Sequence, residues 1–407
     1  MSGPLLLVLA VGVAYLAAHV AFDWLARRFM IISGAEYLLL GILLGPQIAN
    51  VLSENVMAGF SPLVTLSLGW VGAIVGTQFH LPSLVRVRAL SYRVAFAEAL
   101  LTLFFVAAVE FAVMQWWLGL PAWDGIAAAI ALGAIAAVSA PAGIGIVARH
   151  LGRRSALLRQ LEITTAIDAL VGIVTIGLLL AIRHPGDVGV ARPVTTTEWV
   201  VISLAVGIIG GVLYQLFLGR ERDEDRLFIS LAGAIILTSG AAAYLHLSPI
   251  FTAMAMSATL VNLSSSRQEI ARTLHASERP FYFVLLIFAG ASWQPSLRAW
   301  AIPVVLYLVA RTLAKVGGAR MAARLTHTLP ALGANWGRAL LGQGPLALAL
   351  GLEFVRMPDA PVPNVVFTAA IAAVLLLDVS SAWLIRSVEP AAVEGAREPR
   401  PATGGGP

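Results

Sequence analysis

Few residues in this chain could do chemistry, and most of those stand where charge is expensive. Asp168 is the one ionisable side chain in TTAIDALVGIVTIGLLLAI, from Thr164 to Ile182. A carboxylate in hydrocarbon costs roughly 2.5–3.5 kcal/mol on insertion scales, so an acid placed there either has a compensating partner or does a job. Thr164 and Thr165 lie about one turn back, on adjacent parts of its face, and could bind the same ion or simply hold the carboxyl as a structural acid. The chain holds one lysine, Lys315, in VVLYLVARTLAKVGGARMAARL, and every other fixed cation is arginine. Lysine shifts its protonation readily when buried and guanidinium does not, so a lone lysine suggests a need specific to that residue. The plainer alternative is a side chain that snorkels to the inner surface. Arg311 sits four residues earlier on the same face. It is suited to a carboxylate or to backbone carbonyls that have lost their helical partners. Asp378, in VLLLDVSSAWLI, is a candidate partner for Arg311 or Lys315. Glu98, Glu110 and Glu36 rank lower, as packing or pathway residues, and Glu162 reads as interfacial.

Two further stretches are built to interrupt a helix. AVSAPAGIGI (Ala137 to Ile146) carries Pro141, Gly143 and Gly145; LLGQGPLALA (Leu340 to Ala349) carries Gly342, Gly344 and Pro345. Proline removes a backbone donor and glycine tolerates the unwound conformations that follow. Freed backbone groups at membrane depth must be buried in protein or line a wet cavity. Ser139 beside the first break and Gln343 in the second are neutral groups suited to an ion's coordination shell, Ser139 the better of the two.

The elements that position these residues follow from composition. Of 407 residues, 59% are hydrophobic and 12% are charged. A soluble chain carries about twice that charge. Apolar runs of about 20 residues recur from end to end, the length that spans a bilayer as a helix. About thirteen such segments can be drawn, near residues 4–22, 30–49, 60–79, 94–117, 123–148, 160–182, 197–218, 226–245, 248–263, 279–297, 299–319, 333–354 and 363–386. Arginine crowds into the loops after odd-numbered segments and is sparse after even-numbered ones. The positive-inside rule then puts the N-terminus outside and the C-terminus in the cytoplasm.

The expected fold is therefore all-α and polytopic, one transmembrane domain over residues 1–387. Repeat one covers about 1–182, a linker helix about 197–218, and repeat two about 226–387. Two six-helix units joined by one helix have opposite orientations, the inverted-repeat logic of many secondary transporters. The two interruptions fall at matching positions, in the fifth and twelfth segments, and would cross near the midplane with their half-helix dipoles facing an ion. Residues 388–407 are rich in Pro, Gly and Ala and are expected to be disordered.

The chain has no cysteine. His19, His80, His150, His184, His246, His275 and His327 show no metal-site spacing. There is no phosphate loop and no nucleophile motif, so nothing supports a cofactor, nucleotide use, nucleic-acid binding or an enzyme activity.

These residues resemble the monovalent cation:proton antiporter superfamily, in its Kef-like and bacterial sodium/proton exchanger branch, over about residues 30–385. SGAEYLLLGILLGP (Ser33 to Pro46), LSLGWVGAIVGTQFHLPSL (Leu66 to Leu84), the break at Pro141, TAIDALVG, ARTLAKVGG and GRALLGQGPLALAL carry the likeness in order and spacing. The resemblance implies exchange of Na⁺ or K⁺ for H⁺ by alternating access. Segments 4–6 and 11–13 would form a core moving against a dimerising panel that includes the first segment. It also implies a homodimer in a bacterial inner membrane. The family's ion-binding aspartate falls on Asp168, its lysine on Lys315, and its crossover on Ser139. One departure stands out: the strongly sodium-coupled branch has two adjacent aspartates, and here Ile167 and Ala169 flank a single acid. A sensor that no longer transports and a sodium-coupled symporter of an organic anion are the competing readings.

Overall fold

The computed structural model describes residues 34–141, 144–145, 155–185, 194–218, 223–294, 297–328 and 332–395. The described residues are helical, without strands. In chain order the helices are α1 (Ala35–Leu44), α2 (Glu54–Gly59), α3 (Ser61–Gly76), α4 (Leu81–Leu84), α5 (Ala89–Trp116), α6 (Ala122–Ala137), α7 (Ala156–Ile182), α8 (Thr196–Leu218), α9 (Glu224–Tyr244), α10 (Pro249–Leu263), α11 (Arg267–Ala276), α12 (Glu278–Ala291), α13 (Leu297–Leu325), α14 (Gly344–Val355) and α15 (Pro363–Gly395), with a 3₁₀ turn at Trp336–Leu340 before α14. Every expected segment after the first has its helix, and the first lies outside the described residues. Among the described residues, five helices are long and apolar enough to cross a membrane by length and composition. α13 continues to Leu325 and α15 to Gly395, the latter reaching into the stretch expected to be disordered.

The distribution of side chains is that of a membrane protein. Phe96, Leu100 and Phe104 on α5, Ile208 and Leu213 on α8, Ile229 and Ile236 on α9, and Val305, Val309 and Leu313 on α13 all face outward. So much exposed apolar surface suits lipid and not water. Glu98, Glu110, Asp168, Arg311 and Lys315 are buried instead.

The helices pack in two groups, with dense contacts inside each and sparse contacts between. One group holds α5, α6, α7, α13, α14 and α15; the other holds α1, α3 and α8 to α12. Close backbone approach by small residues builds both, since lipid offers no hydrophobic drive for helices to associate. In the second group a Cβ on Gly41 of α1 would collide with the Ile287 carbonyl of α12, and one on Gly72 of α3 with the Ile250 carbonyl of α10. In the first, α6 reads AWDGIAAAIALGAIAA and is buried along most of its length. Its alanines let α5 and α7 close on either side of it.

Both expected breaks are present. α6 stops at Ala137, and Val138 is extended (φ −66°, ψ 135°). The unwound residues are Val138, Ser139 and Ala140, and helix resumes at Pro141. That is where a proline places a break, because its ring disfavours the helical conformation of the residue before it. Gly143 lies outside the described residues, while Gly145 is helical. The second break spans Leu341, Gly342 and Gln343. Gly344 then opens α14 at φ +71°, a left-handed conformation that glycine adopts without strain, and Pro345 follows in the first turn, where no helical donor is needed. The two breaks touch: the Ala140 amide donates to the Gly342 carbonyl at 2.8 Å.

Candidate functional site

Where α6 is interrupted, its last carbonyls lose their helical donors, and α13 replaces them. Lys315 Nζ donates to the Ala137 carbonyl at 2.6 Å. Arg311, one turn earlier, reaches both breaks, donating to the Val138 carbonyl at 3.1 Å and to the Leu341 carbonyl at 2.6 Å. Two cations thus sit at the negative end of the α6 dipole. Of the two roles open to Arg311 in sequence, its hydrogen bonds take the carbonyls. Lys315 is 0% exposed and so does not snorkel.

The second break is closed from the other end. Asp378, on α15, accepts from the Gln343 amide at 2.6 Å and from the Gly344 amide at 3.0 Å, so an anion caps the positive end of α14. The expected partners of Asp378 are Arg311 and Lys315; its hydrogen bonds to Gln343 and Gly344 give it a capping role as well, within the field of the Arg311 charge. At a helix start the orphan amides, four of them in any helix, compete for a nearby carboxylate. The Gln343 side-chain amide donates to the Ile135 carbonyl at 2.6 Å and to the Tyr307 hydroxyl at 3.0 Å. It ties α6, α13 and the second break together, with its donors turned to protein.

Asp168 lies close to the midpoint of α7 and faces the first break. Its Oδ2 accepts from Ser139 Oγ at 2.6 Å and from Lys315 Nζ at 2.9 Å. Its Oδ1 is buried with no hydrogen-bond partner among the described residues. An ionised carboxylate can accept about four hydrogen bonds, so one face of Asp168 is left open for a proton or a cation. Ser139 and Lys315 stand at the site as expected. The Thr164 hydroxyl donates to the Gln160 carbonyl at 2.9 Å and the Thr165 hydroxyl to the Glu162 carbonyl at 3.1 Å, so neither donates to Asp168. Threonine inside a helix usually has its own preceding turn as the nearest acceptor, and that local bond wins here.

Glu98, ranked low from sequence, belongs to the site. From α5 its Oε2 accepts from Lys315 Nζ at 3.2 Å, and its Oε1 accepts from Thr102 Oγ1 at 2.9 Å. Lys315 therefore spends its three donors on two carboxylates and one freed carbonyl, each side chain 0% exposed. Two signals pointed to Glu98. Thr102 follows it by one turn in an otherwise apolar run, and its segment, the fourth, is the ordinal counterpart of the eleventh, which carries Lys315.

A second acid was not singled out at all. Glu353 of α14 accepts from Ser248 Oγ at 2.9 Å and from the Ile250 amide at 3.2 Å, capping α10 across the two helix groups. It lies on a cavity of about 870 Å³, between the groups, that is also lined by Ser61, Thr65, His246 and Arg356. The cavity gathers the start of α3, the ends of α7 and α9, the start of α10 and the end of α14. These helix ends meet around one cavity, and the loops that adjoin them carry few arginines. Among the described residues no cluster of histidines and acids could hold a resident metal ion.

Comparison with known proteins bears on the whole chain. Residues 37–386 match the family described as sodium/hydrogen exchanger, transmembrane. No curated protein matches the sequence significantly. The fold is similar to that of the sodium proton antiporter MjNhaP1 from Methanocaldococcus jannaschii in two structures. The one at pH 8 has a TM-score of 0.65 and 16% identity, covering 97% of this chain and 98% of that one. An electron-microscopy structure has a TM-score of 0.62 and 17% identity, covering 98% of this chain and 100% of that one. At such identities the likeness is one of fold.

Proposed function

The chain belongs to the family of transmembrane sodium/hydrogen exchangers, membrane transporters and not enzymes, and we propose that it exchanges a monovalent cation, Na⁺ or K⁺, for H⁺ at Asp168 by alternating access. The observation that carries this reading is the open Oδ1 of Asp168, buried at the mouth of the first break with its partner oxygen already held by Ser139 and Lys315. An oxygen held this way takes a proton or a cation, and one occupant excludes the other. Competition for one atom is what couples the two ions. The Ser139 hydroxyl and the carbonyls unwound around it are hard oxygen ligands of the kind a small cation prefers to sulfur or nitrogen.

The grouping of the helices supports the motion. The helices that hold Asp168, Lys315 and both breaks pack among themselves, and they meet the other group through few contacts. A rigid core can then move against the second group while the site stays intact, opening it to one side at a time. The cavity at Glu353 lies on that sliding boundary and suits an outward approach. We place the protein in a bacterial inner membrane as a homodimer, N-terminus outside and C-terminus cytoplasmic, from the arginine asymmetry and the family resemblance.

The test uses proteoliposomes with a pH dye inside and an imposed proton gradient. Na⁺, K⁺ or Li⁺ is added outside, for wild type and Asp168→Asn in parallel. The expected result is a cation-dependent pH change that falls at least a hundredfold in the variant while its thermal unfolding stays close to wild type. Folded wild type that answers no cation would overturn the reading.

A further inference from the structure

Among the described residues, the hydrogen bonds that run directly between the two helix groups gather at one end of the bundle. Glu353 Oε1, near the end of α14, accepts from Ser248 Oγ at 2.9 Å and from the Ile250 amide at 3.2 Å, both at the start of α10. Arg356, just after α14, donates to Ser61 Oγ at 2.7 Å and to Thr65 Oγ1 at 3.1 Å, at the start of α3. Trp293, just after α12, donates to Thr368 Oγ1 near the start of α15 at 3.0 Å. The adjoining loops carry few arginines, and under the proposed orientation this is the outer end. At the opposite end no described hydrogen bond or ion pair joins one group to the other directly; the connector α4 touches both, through Tyr92 of α5 and Asn262 of α10. α7 shows the same polarity along its length. A Cβ on Gly177 would lie 2.8 Å from the Phe251 ring of α10, so the groups meet closely there. Ala166, about three turns earlier on the same face, is partly exposed. The groups are thus tied at the outer end and free of such ties at the inner one.

We infer that Glu353, with Arg356 beside it, forms the outer gate of this protein: the two hold α14 against α10 and α3, and set how often Asp168 is turned outward. The inference rests on the alternating-access reading given above. Three features suit a releasable latch. Both donors from α10 fall on one Glu353 oxygen, while Oε2 is buried without a partner among the described residues, so the carboxylate is gripped at one point. Ser248 Oγ also accepts from the Phe251 amide at 3.0 Å, so α10 keeps its own cap when Glu353 departs. The latch lies on the cavity of about 870 Å³ between the groups, where water can take over the hydrogen bonds that sliding breaks. The joints made by Arg311 and Lys315 differ in kind. They lie within the first group and travel with it. Glu353 sits on the half-helix that the second break starts at Gly344, so the gate and the break share one rigid element. Glu353 is a positioning residue, acting on the side that the site faces and not on the ion.

The chain has no cysteine, so single thiol reporters can be placed in the full-length protein. Leu68→Cys reports on the outer boundary, since Leu68 lines the cavity and is 1% exposed. Ala166→Cys reports on the inner one. Each is labelled from its own side, in proteoliposomes of known orientation, with a membrane-impermeant methanethiosulfonate that carries an uncharged sugar. A neutral reagent keeps its local concentration when a charged residue is removed. With the gate intact, Ala166→Cys is expected to react from inside at least tenfold faster than Leu68→Cys from outside. Glu353→Ala removes the acceptor of two hydrogen bonds, and even one is worth roughly fivefold in an equilibrium. Leu68→Cys should then react at least fivefold faster, while Ala166→Cys does not quicken. Arg356→Gln breaks the ties to α3, is expected to act in the same direction, and decides the test if Glu353→Ala does not fold. An unchanged outer rate overturns the inference. So does a rise at both reporters, which is general loosening, and so does an intact protein whose outer reporter is the faster. Wild type that exchanges no cation sinks the preceding reading and this one with it, whereas exchange with an unmoved outer reporter sinks this one alone.

Discussion

Asp168 and Asp378 follow the first and second breaks at matching ordinals, each on the helix after its break, yet they are used in opposite ways. Asp378 turns toward the start of a half-helix and gives its oxygens to the amides of Gln343 and Gly344. Asp168 turns toward the unwound residues after the end of a half-helix, where backbone donors are scarce. It takes a hydroxyl and an ammonium on one oxygen and leaves the other open. The difference follows from the dipole each acid meets. A helix start offers amides and absorbs a carboxylate; a helix end offers carbonyls, attracts cations, and leaves a nearby carboxylate partly unserved. A pair of crossed half-helices therefore makes one sealed acid and one reactive acid from the same residue type. If this contrast is sound, damage to the second break should read first in stability, and damage to the first break in ion handling.

The largest expected effect comes from the residue that touches both. Arg311 holds the Leu341 and Val138 carbonyls from a fully buried position. Arg311→Gln leaves at least one of them unpaired, at a cost of about 1–3 kcal/mol per group, and exposes Asp378 to an uncompensated field. Thermal unfolding in detergent should fall by about 3 kcal/mol, with exchange lost alongside. Arg311→Lys keeps the charge but cannot fork to two carbonyls, and should fall between. A variant as stable as wild type would break the comparison, because the second break would not need its tether.

Asp378→Ala comes next. Losing a capping carboxylate costs about 0.5–2 kcal/mol, and the charge-assisted bonds here put it at the upper end. The melt should shift by that amount while the residual exchange keeps the wild-type cation preference. A change in preference between Na⁺ and K⁺ would mean that Asp378 belongs to the ion site after all.

How much of this was legible in sequence depends on the range of the interaction. The breaks were legible because Pro141, Gly344 and Pro345 act on their own backbone, and period and hydropathy fix the helices in the same local way. The residues that pair across helices were legible only where composition was odd. Lys315 stood out as the one lysine, and Asp168 as an acid in an uncharged run. Glu98 carried the same kind of oddity, diluted by Glu110 on the same helix, and only the packing of α5 on α13 decides which of the two meets the lysine. Glu353 was missed because its partners, Ser248 and the Ile250 amide, are far away in sequence. Thr164 and Thr165 show the pull of the local partner. Proximity to Asp168 along the helix suggested a shared ion, and a carbonyl one turn back was nearer for each hydroxyl.

The smallest expected effect probes the open oxygen most directly. Ser139→Ala removes the 2.6 Å hydrogen bond to Asp168 Oδ2 and leaves Lys315 as the sole donor to that oxygen. The net worth of such a bond is about 1 kcal/mol, or roughly fivefold in an equilibrium. The serine also offers its own oxygen to a bound cation, so the loss should fall on cation affinity: the cation KM rises about fivefold, with maximal exchange and thermal stability nearly unchanged. Ser139→Thr keeps the hydroxyl and should restore most of the affinity if the unwound backbone admits one more methyl. A stability loss equal to that of Asp378→Ala, with unaltered KM, would show that the first break is held shut like the second, and the contrast between the two acids would collapse.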